Sequence, residues 1–302
     1  MKGISKRTTK LGFNVLRLHF SADADKDPTT EKGKRWLEDA KKGMSDVRWR
    51  QEYEIEYDAL CGTLVFPGFD ESVHMVEPIR LDPNEWTTYQ GADPHSRTEH
   101  AFVYLKVNRS GEMVIPWSYW PDGVNEERAN NHESRLTVKD YGELLKIIEE
   151  DNSFNLKPWY RVMDVAAKNF NADEARSIFD AYRDEGFVFY PAKRNIGYVG
   201  YDAIAEALKP KPFTVGNEEK AKPTLTIFAG CGDNDELAYQ LKTLRYREWK
   251  GNVADKDAPE EPEQRRRHLV DCLSYIVLSD PVLIDRSAPK ATFQPIYPAL
   301  GY

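Results

Sequence analysis

Between residues 86 and 120 the chain reads as three short strands joined by tight turns, and this spacing restricts the fold more than any other feature. Residues 86–92 are strand-like and end at Asp93, and residues 101–107 form a second strand. The Asn108-Arg-Ser-Gly111 turn then leads into a third over 112–120. Connections this short suit an antiparallel meander and leave no room for crossovers. Beyond it the pattern changes. Thr137 opens a helix with Tyr141, Leu144, Leu145 and Ile148 at helical spacing, followed by a strand over 159–165 that contains Asp164. An amphipathic helix over 172–185, a fifth strand over 187–190 and a helix over 201–208 come next. A proline- and lysine-rich linker (209–223), a strand (224–228), a helix around 236–241, an acidic loop (255–263) and a helix over 263–278 complete the series.

Ahead of the meander, residues 13–20 alternate as a half-buried strand, and 21–28 are polar and loop-like. Residues 30–42 read as a helix with Trp36, Leu37 and Ala40 on one face, and 63–69 as a short strand stopped by Pro67-Gly68. Three antiparallel strands followed by alternating helices and strands is the order of an α/β, RNase H-like fold. It predicts a mixed sheet whose first three strands are antiparallel, flanked by helices.

Composition narrows the classes. Hydrophobic residues make up 40% of the 302, enough for a substantial core. The longest apolar runs, such as 64–66 and 275–278, are too short to cross a bilayer. The basic N-terminus lacks the apolar stretch of a secretory signal. Cys61, Cys231 and Cys272 form no Cys-x-x-Cys pair, which argues against a disulfide scaffold and a cysteine zinc site and suits a reducing cytoplasm. A formal charge of −8 weighs against tight storage of nucleic acid, while leaving room for transient handling.

Three carboxylates stand out against this background. Asp93 closes a strand after the small residues Gly91 and Ala92. Asp164 sits in the mostly apolar Tyr160-Arg-Val-Met-Asp-Val165, and Asp271 in Leu269-Val-Asp-Cys-Leu273 on a helix that must pack. A carboxylate in apolar surroundings needs a partner, a hydrogen bond or a metal ion. Phosphodiester hydrolysis uses such groups to hold two hard cations about 3.5–4 Å apart. Each residue also has a plainer reading. Asp93 suits a turn, Asp164 a cap for the helix that follows, and Asp271 an ion pair with Arg267 one turn earlier.

The series of motifs resembles the C-terminal nuclease domain of the large terminase subunit of tailed bacteriophages. It runs from Glu31-Lys-Gly-Lys-Arg-Trp36, Trp49-Arg-Gln-Glu-Tyr53 and Gly62-Thr-Leu-Val-Phe-Pro-Gly-Phe69 with His74, through Gly91-Ala-Asp93 and Arg161-Val-Met-Asp164. It continues with Lys193-Arg-Asn-Ile-Gly197, Pro223-Thr-Leu-Thr-Ile-Phe228 and Arg267-His-Leu-Val-Asp-Cys-Leu-Ser-Tyr275. The resemblance implies an RNase H-like endonuclease dependent on Mg²⁺ or Mn²⁺, with two ions held by Asp93, Asp164 and Asp271. It implies cutting of concatemeric viral DNA during packaging, in the host cytoplasm and transiently at the procapsid portal. The implied partners are double-stranded DNA, the ATPase motor, the small terminase subunit and the portal protein. His268, one turn before Asp271, occupies a position where the family often carries a histidine for phosphate contact or ligand orientation; a helix-surface role is the alternative.

In one respect the chain departs from a complete large terminase. It has no Gly-x-x-x-x-Gly-Lys-Ser/Thr loop, so no ATPase activity is expected of it. Residues 1–76 are read as the end of a motor domain plus a linker, 77–285 as the nuclease and 286–302 as an irregular tail. Lys168, Lys193 and Arg194 are candidate phosphate contacts near the acidic centre, and no base-reading module is visible. Other readings are a junction resolvase or transposase-type nuclease on the same fold, an inert docking module for portal or small terminase, and, more remotely, a glycosidase.

Overall fold

The structure is a computed structural model. It describes residues 4–8, 14–42, 49, 53, 63–95, 98–151, 153–171, 176–193, 198–215, 218–247, 262–263 and 266–284. Strands β1 (Ile4–Thr8) and β2 (Asn14–Leu18) pair antiparallel. Helix α1 (Glu31–Lys41) starts where expected, because the Thr30 hydroxyl accepts the Gly33 amide at 3.0 Å. Its Trp36 packs against Phe20, Trp49 and Tyr53 in one aromatic cluster.

The strand expected over 63–69 does not form. Leu64 makes a single bridge to Arg245, and the chain then turns through Pro67, which has no N–H for a ladder. Helix α2 (Glu71–His74) and strand β3 (Met75–Val76) follow.

The meander is present as expected: β4 (Trp86–Asp93), β5 (Ala101–Asn108) and β6 (Met113–Tyr119) pair antiparallel in sequence. Asn108 builds the turn between the last two by accepting the Ser110 and Glu112 amides, with Gly111 at φ 78°. After α3 (Val124–Asn130) and α4 (Val138–Glu150), β7 (Tyr160–Met163) joins β4 in parallel. A small pair, β8 (Phe170–Asn171) with β9 (Arg176–Ser177), precedes α5 (Ile178–Asp184). The helix expected over 172–185 therefore starts later, where Ser177 caps the Asp180 amide; 172–175 lie outside the described residues.

Strand β10 (Tyr190–Pro191) lies parallel to β7 at the sheet edge, a little later than its expected place. Helix α6 (Val199–Leu208) leads into β11 (Pro210–Val215) and β12 (Glu218–Pro223). These two form a hairpin where a linker was expected. Three prolines and alternating lysines mask strand character, yet a two-stranded ribbon tolerates proline on its unpaired edges. Strand β13 (Leu225–Phe228), α7 (Asn234–Thr243) and α8 (His268–Val277) complete the fold. The last helix starts five residues later than expected. Of the acidic loop only 262–263 are described, and the tail 286–302 lies outside the described residues.

The large sheet has the order β10-β7-β4-β5-β6-β13-β3. Side-chain alternation sends the two faces of β4 to different cores. Ala92 packs with Met163, Tyr141, Leu145 and Tyr182 beneath α4 and α5. Tyr89 packs with Val162, Tyr201, Leu269, Leu273 and Ile276 beneath α6 and α8. Gly91 and Asp93 share the second face by period. So does Asp164, two residues after Val162.

Candidate metal centre

Contact between α8 and β4 depends on Gly91. A Cβ there would lie 2.2 Å from the Cys272 carbonyl oxygen and 2.9 Å from its carbon, so only glycine lets the helix backbone approach this closely. The approach brings the first turn of α8 to the end of β4. Cys272 strengthens the contact with a hydrogen bond from Sγ to the Ala101 carbonyl at 3.2 Å.

Helix α8 lacks a side-chain cap of its own, since Arg267 occupies the cap position. Buried Gln240, on α7, supplies the missing acceptor: its Oε1 takes the amides of Leu269 at 3.1 Å and Val270 at 3.4 Å. Replacing Gln240 with methionine, similar in size but without an acceptor, should lower stability by about 1–3 kcal/mol. Urea denaturation measures this, and an unchanged midpoint would remove Gln240 from the account.

At the strand end, Asp93 is buried and accepts a hydrogen bond from His268 Nδ1 at 2.7 Å. Burial lowers the His268 pKa, but the bond to Asp93 and its charge outweigh burial and leave the imidazole more basic than usual. The histidine thus faces the acidic centre rather than open surface. Asp271 is held at both oxygens, by the Tyr201 hydroxyl on Oδ1 and by Arg267 Nε at 3.1 Å on Oδ2. Burial raises Asp271, Arg267 opposes the rise and the nearby Asp93 charge adds to it, leaving the carboxyl at about 6. Tyr201 is itself pushed far up, by burial first and then by the Asp271 charge.

Asp164 falls just past β7, not within it. Its amide bonds to the Ala92 carbonyl at 3.3 Å. Its Oδ1 accepts the Ala166 amide at 3.0 Å and caps the 3-10 turn Val165–Lys168. Burial raises the hydroxyl pKa of Tyr275, and the charges of Asp93, Asp271 and Asp164 push it further, so all three carboxylates act on one side chain. These are hard oxygen donors, a set that suits Mg²⁺ or Mn²⁺. The geometry is not closed, however. Among the described residues no three His, Cys, Asp or Glu side chains stand together as a metal cluster. Asp164 is turned to its cap, and Asp271 to Arg267 and Tyr201.

Of the candidate phosphate contacts, Lys168 is exposed at the end of the turn that Asp164 caps. Lys193 follows β10 and pairs with Asp280 at 2.6 Å, and Arg194 lies outside the described residues. Sequence reasoning missed Tyr201 and Gln240, which come from other helices. It also passed over His95, exposed two residues past Asp93 with its ring 6.1 Å from that of His268. Only the position of His95 beside Asp93 could have signalled it.

No protein-family profile matches this chain, and no curated protein does. Among solved structures, the large terminase of a thermophilic bacteriophage matches with a TM-score of 0.57 at 20% identity, covering 82% of this chain and 52% of that one. The chain therefore spans about half the length of that terminase. Strand order, strand polarity and this likeness agree. The fold is RNase H-like. Weaker likenesses are the P22 large terminase nuclease domain (TM-score 0.49, 10% identity, 73% of this chain and 94% of that one) and the large terminase nuclease domain of bacteriophage SPP1 with bound Mn (0.45, 12%, 72% and 100%).

Proposed function

We propose that this chain is a metal-dependent DNA endonuclease that cuts concatemeric viral DNA during genome packaging. In this reading it is the nuclease of a large terminase, acting with an ATPase motor. Residues 77–285 form the nuclease, and 1–76 connect it toward that motor. The observation that carries the reading is the placement of Asp93, Asp164 and Asp271. Two lie at the ends of adjacent parallel strands, and the third is on a helix drawn onto the same face by Gly91.

Asp93, Asp164 and Asp271 would hold the divalent ions. Bound there, the ions would activate water and neutralise charge on the scissile phosphate. The chain's own residues do the rest. His268 fixes the orientation of Asp93, and Tyr201 fixes that of Asp271. Lys168, Lys193 and Arg194 offer positive charge to the DNA backbone. Without a base-reading element, cutting would be nearly independent of sequence, with site choice left to the small terminase subunit and the portal. No helix among the described residues is long and apolar enough to cross a membrane. The place of action in this reading is the host cytoplasm at the procapsid portal.

The test is incubation of the purified chain with supercoiled plasmid and Mn²⁺ or Mg²⁺, with EDTA as control. Nicking should require the metal and should be lost in Asp164→Asn, whose amide oxygen can still cap the turn and so preserve the fold. A variant that cuts as well as its parent would overturn the assignment of Asp164. One observation favours a second reading: both Asp271 oxygens are already engaged within the protein. A chain that is folded yet leaves plasmid intact with every metal would support an inert docking module.

A further inference from the structure

Arg267 lies beside the acidic centre but has no place in the reaction described above. Its Nε is 3.1 Å from Asp271 Oδ2, and the two side chains are only 20% and 15% exposed. That sets the pair apart from the (i,i+3) ion pairs among the described residues, such as Arg183–Asp180 at 61% and 48%. Burial lowers the guanidinium's pKa, but the Asp271 charge and the hydroxyls of Tyr201 and Tyr198 overcome that and hold it firmly protonated. Its Nη1 is buried with no hydrogen-bond partner among the described residues. The guanidinium is therefore held by Asp271 and by a hydrogen bond to Tyr198, with Nη1 left unpaired.

We propose that Arg267 is the resident counter-cation of Asp271 and sets how tightly the acidic centre takes a divalent ion; this rests on the metal-dependent reading above. Asp271 is buried and feels the charge of Asp93, so without metal it needs a positive neighbour. Arg267 fills that need, because it lies one turn back on the same helix and reaches Oδ2 directly. A divalent ion approaching Asp271 must then draw Oδ2 away from the guanidinium or bind beside a fixed positive charge. Either way affinity falls. Arg267 is a positioning residue on this account: it holds Asp271 in orientation and makes metal occupancy depend on a high metal concentration.

The experiment is calorimetric titration of Mn²⁺ into the purified chain without DNA, paired with thermal melting with and without Mn²⁺. Arg267→Met should bind Mn²⁺ about tenfold more tightly than the parent, melt lower without metal and gain more from saturating Mn²⁺. Arg267→Lys, which keeps the charge without the planar fork, should fall between the two. If Arg267→Met does not fold, Arg267→Lys alone carries the test, and an affinity equal to the parent's overturns the proposal. Equal or weaker Mn²⁺ affinity in folded Arg267→Met also overturns it, while leaving the nuclease reading intact. A parent chain that takes up no Mn²⁺ overturns the proposal, and plasmid nicking with Mn²⁺ or Mg²⁺ then decides the nuclease reading on its own. Asp93→Asn should abolish the binding heat in every background, and persistence of that heat would place the ion elsewhere and overturn the proposal.

Discussion

Asp93→Asn is expected to reduce plasmid nicking by about a thousandfold or more while leaving the protein folded. The size follows from what a carboxylate-held cation contributes at phosphorus, several kcal/mol, at about 1.4 kcal/mol per tenfold in rate. Asp93 is central in a way the other two carboxylates are not. It bonds to His268, its charge raises Asp271, and it lies on the strand next to the one that ends at Asp164. Stability should move in the opposite sense to activity, or not at all. The asparagine oxygen can still accept from His268, and removing one of two crowded negative charges relieves Asp271. Gel quantification of nicked plasmid, alongside a thermal melt, reads both. Activity within tenfold of the parent, in a protein that melts normally, would mean that the acidic centre is not where the bond is cut.

The second large effect is on the fold. Gly91→Ala should destabilise the protein by about 3 kcal/mol or more, a large share of the roughly 5–15 kcal/mol that holds a domain together. The added Cβ would sit 2.2 Å from a backbone oxygen, and neither β4 in the middle of its sheet nor α8 on top of it can yield by rotating a side chain. The helix must lift, and as it does Asp271 leaves Asp93. Gly68→Ala is the matched control, since a Cβ there meets nothing within 4 Å, and it should change stability by no more than about 0.5 kcal/mol. Urea denaturation of the two variants side by side decides the matter. If Gly91→Ala unfolds at the parent's midpoint, α8 does not rest on β4 as described.

Much of this arrangement could be read from residue order. The meander was visible because its turns are short and Asn108 and Gly111 mark one of them, and the small residues before Asp93 stood out in the sequence. What escaped was non-local. Tyr201 and Gln240 reach the centre only because α6 and α7 pack beside α8, and nothing in their own neighbourhoods announces this. The hairpin of β11 and β12 is hidden by its composition, since three prolines and several lysines match a linker as well as a strand pair. Asp164 was placed one residue too deep in its strand, since an apolar flank looks the same on either side of a cap. A further sign passed unread: Lys106, in the apolar β5, is fully buried, with Nζ bonded to the Thr88 hydroxyl at 2.9 Å and the Asn155 carbonyl at 3.0 Å. A lysine in such a strand signals a fixed loop on the far face of the sheet.

The cap that Gln240 lends to α8 also orders events during synthesis. Chains leave the ribosome from the N-terminus and fold by units as they emerge. Asp93 and Asp164 emerge before Asp271, and the first amides of the helix that carries Asp271 take their protein acceptor from α7. On the proposed reading, a half-made chain owns two of the three carboxylates and has no working centre.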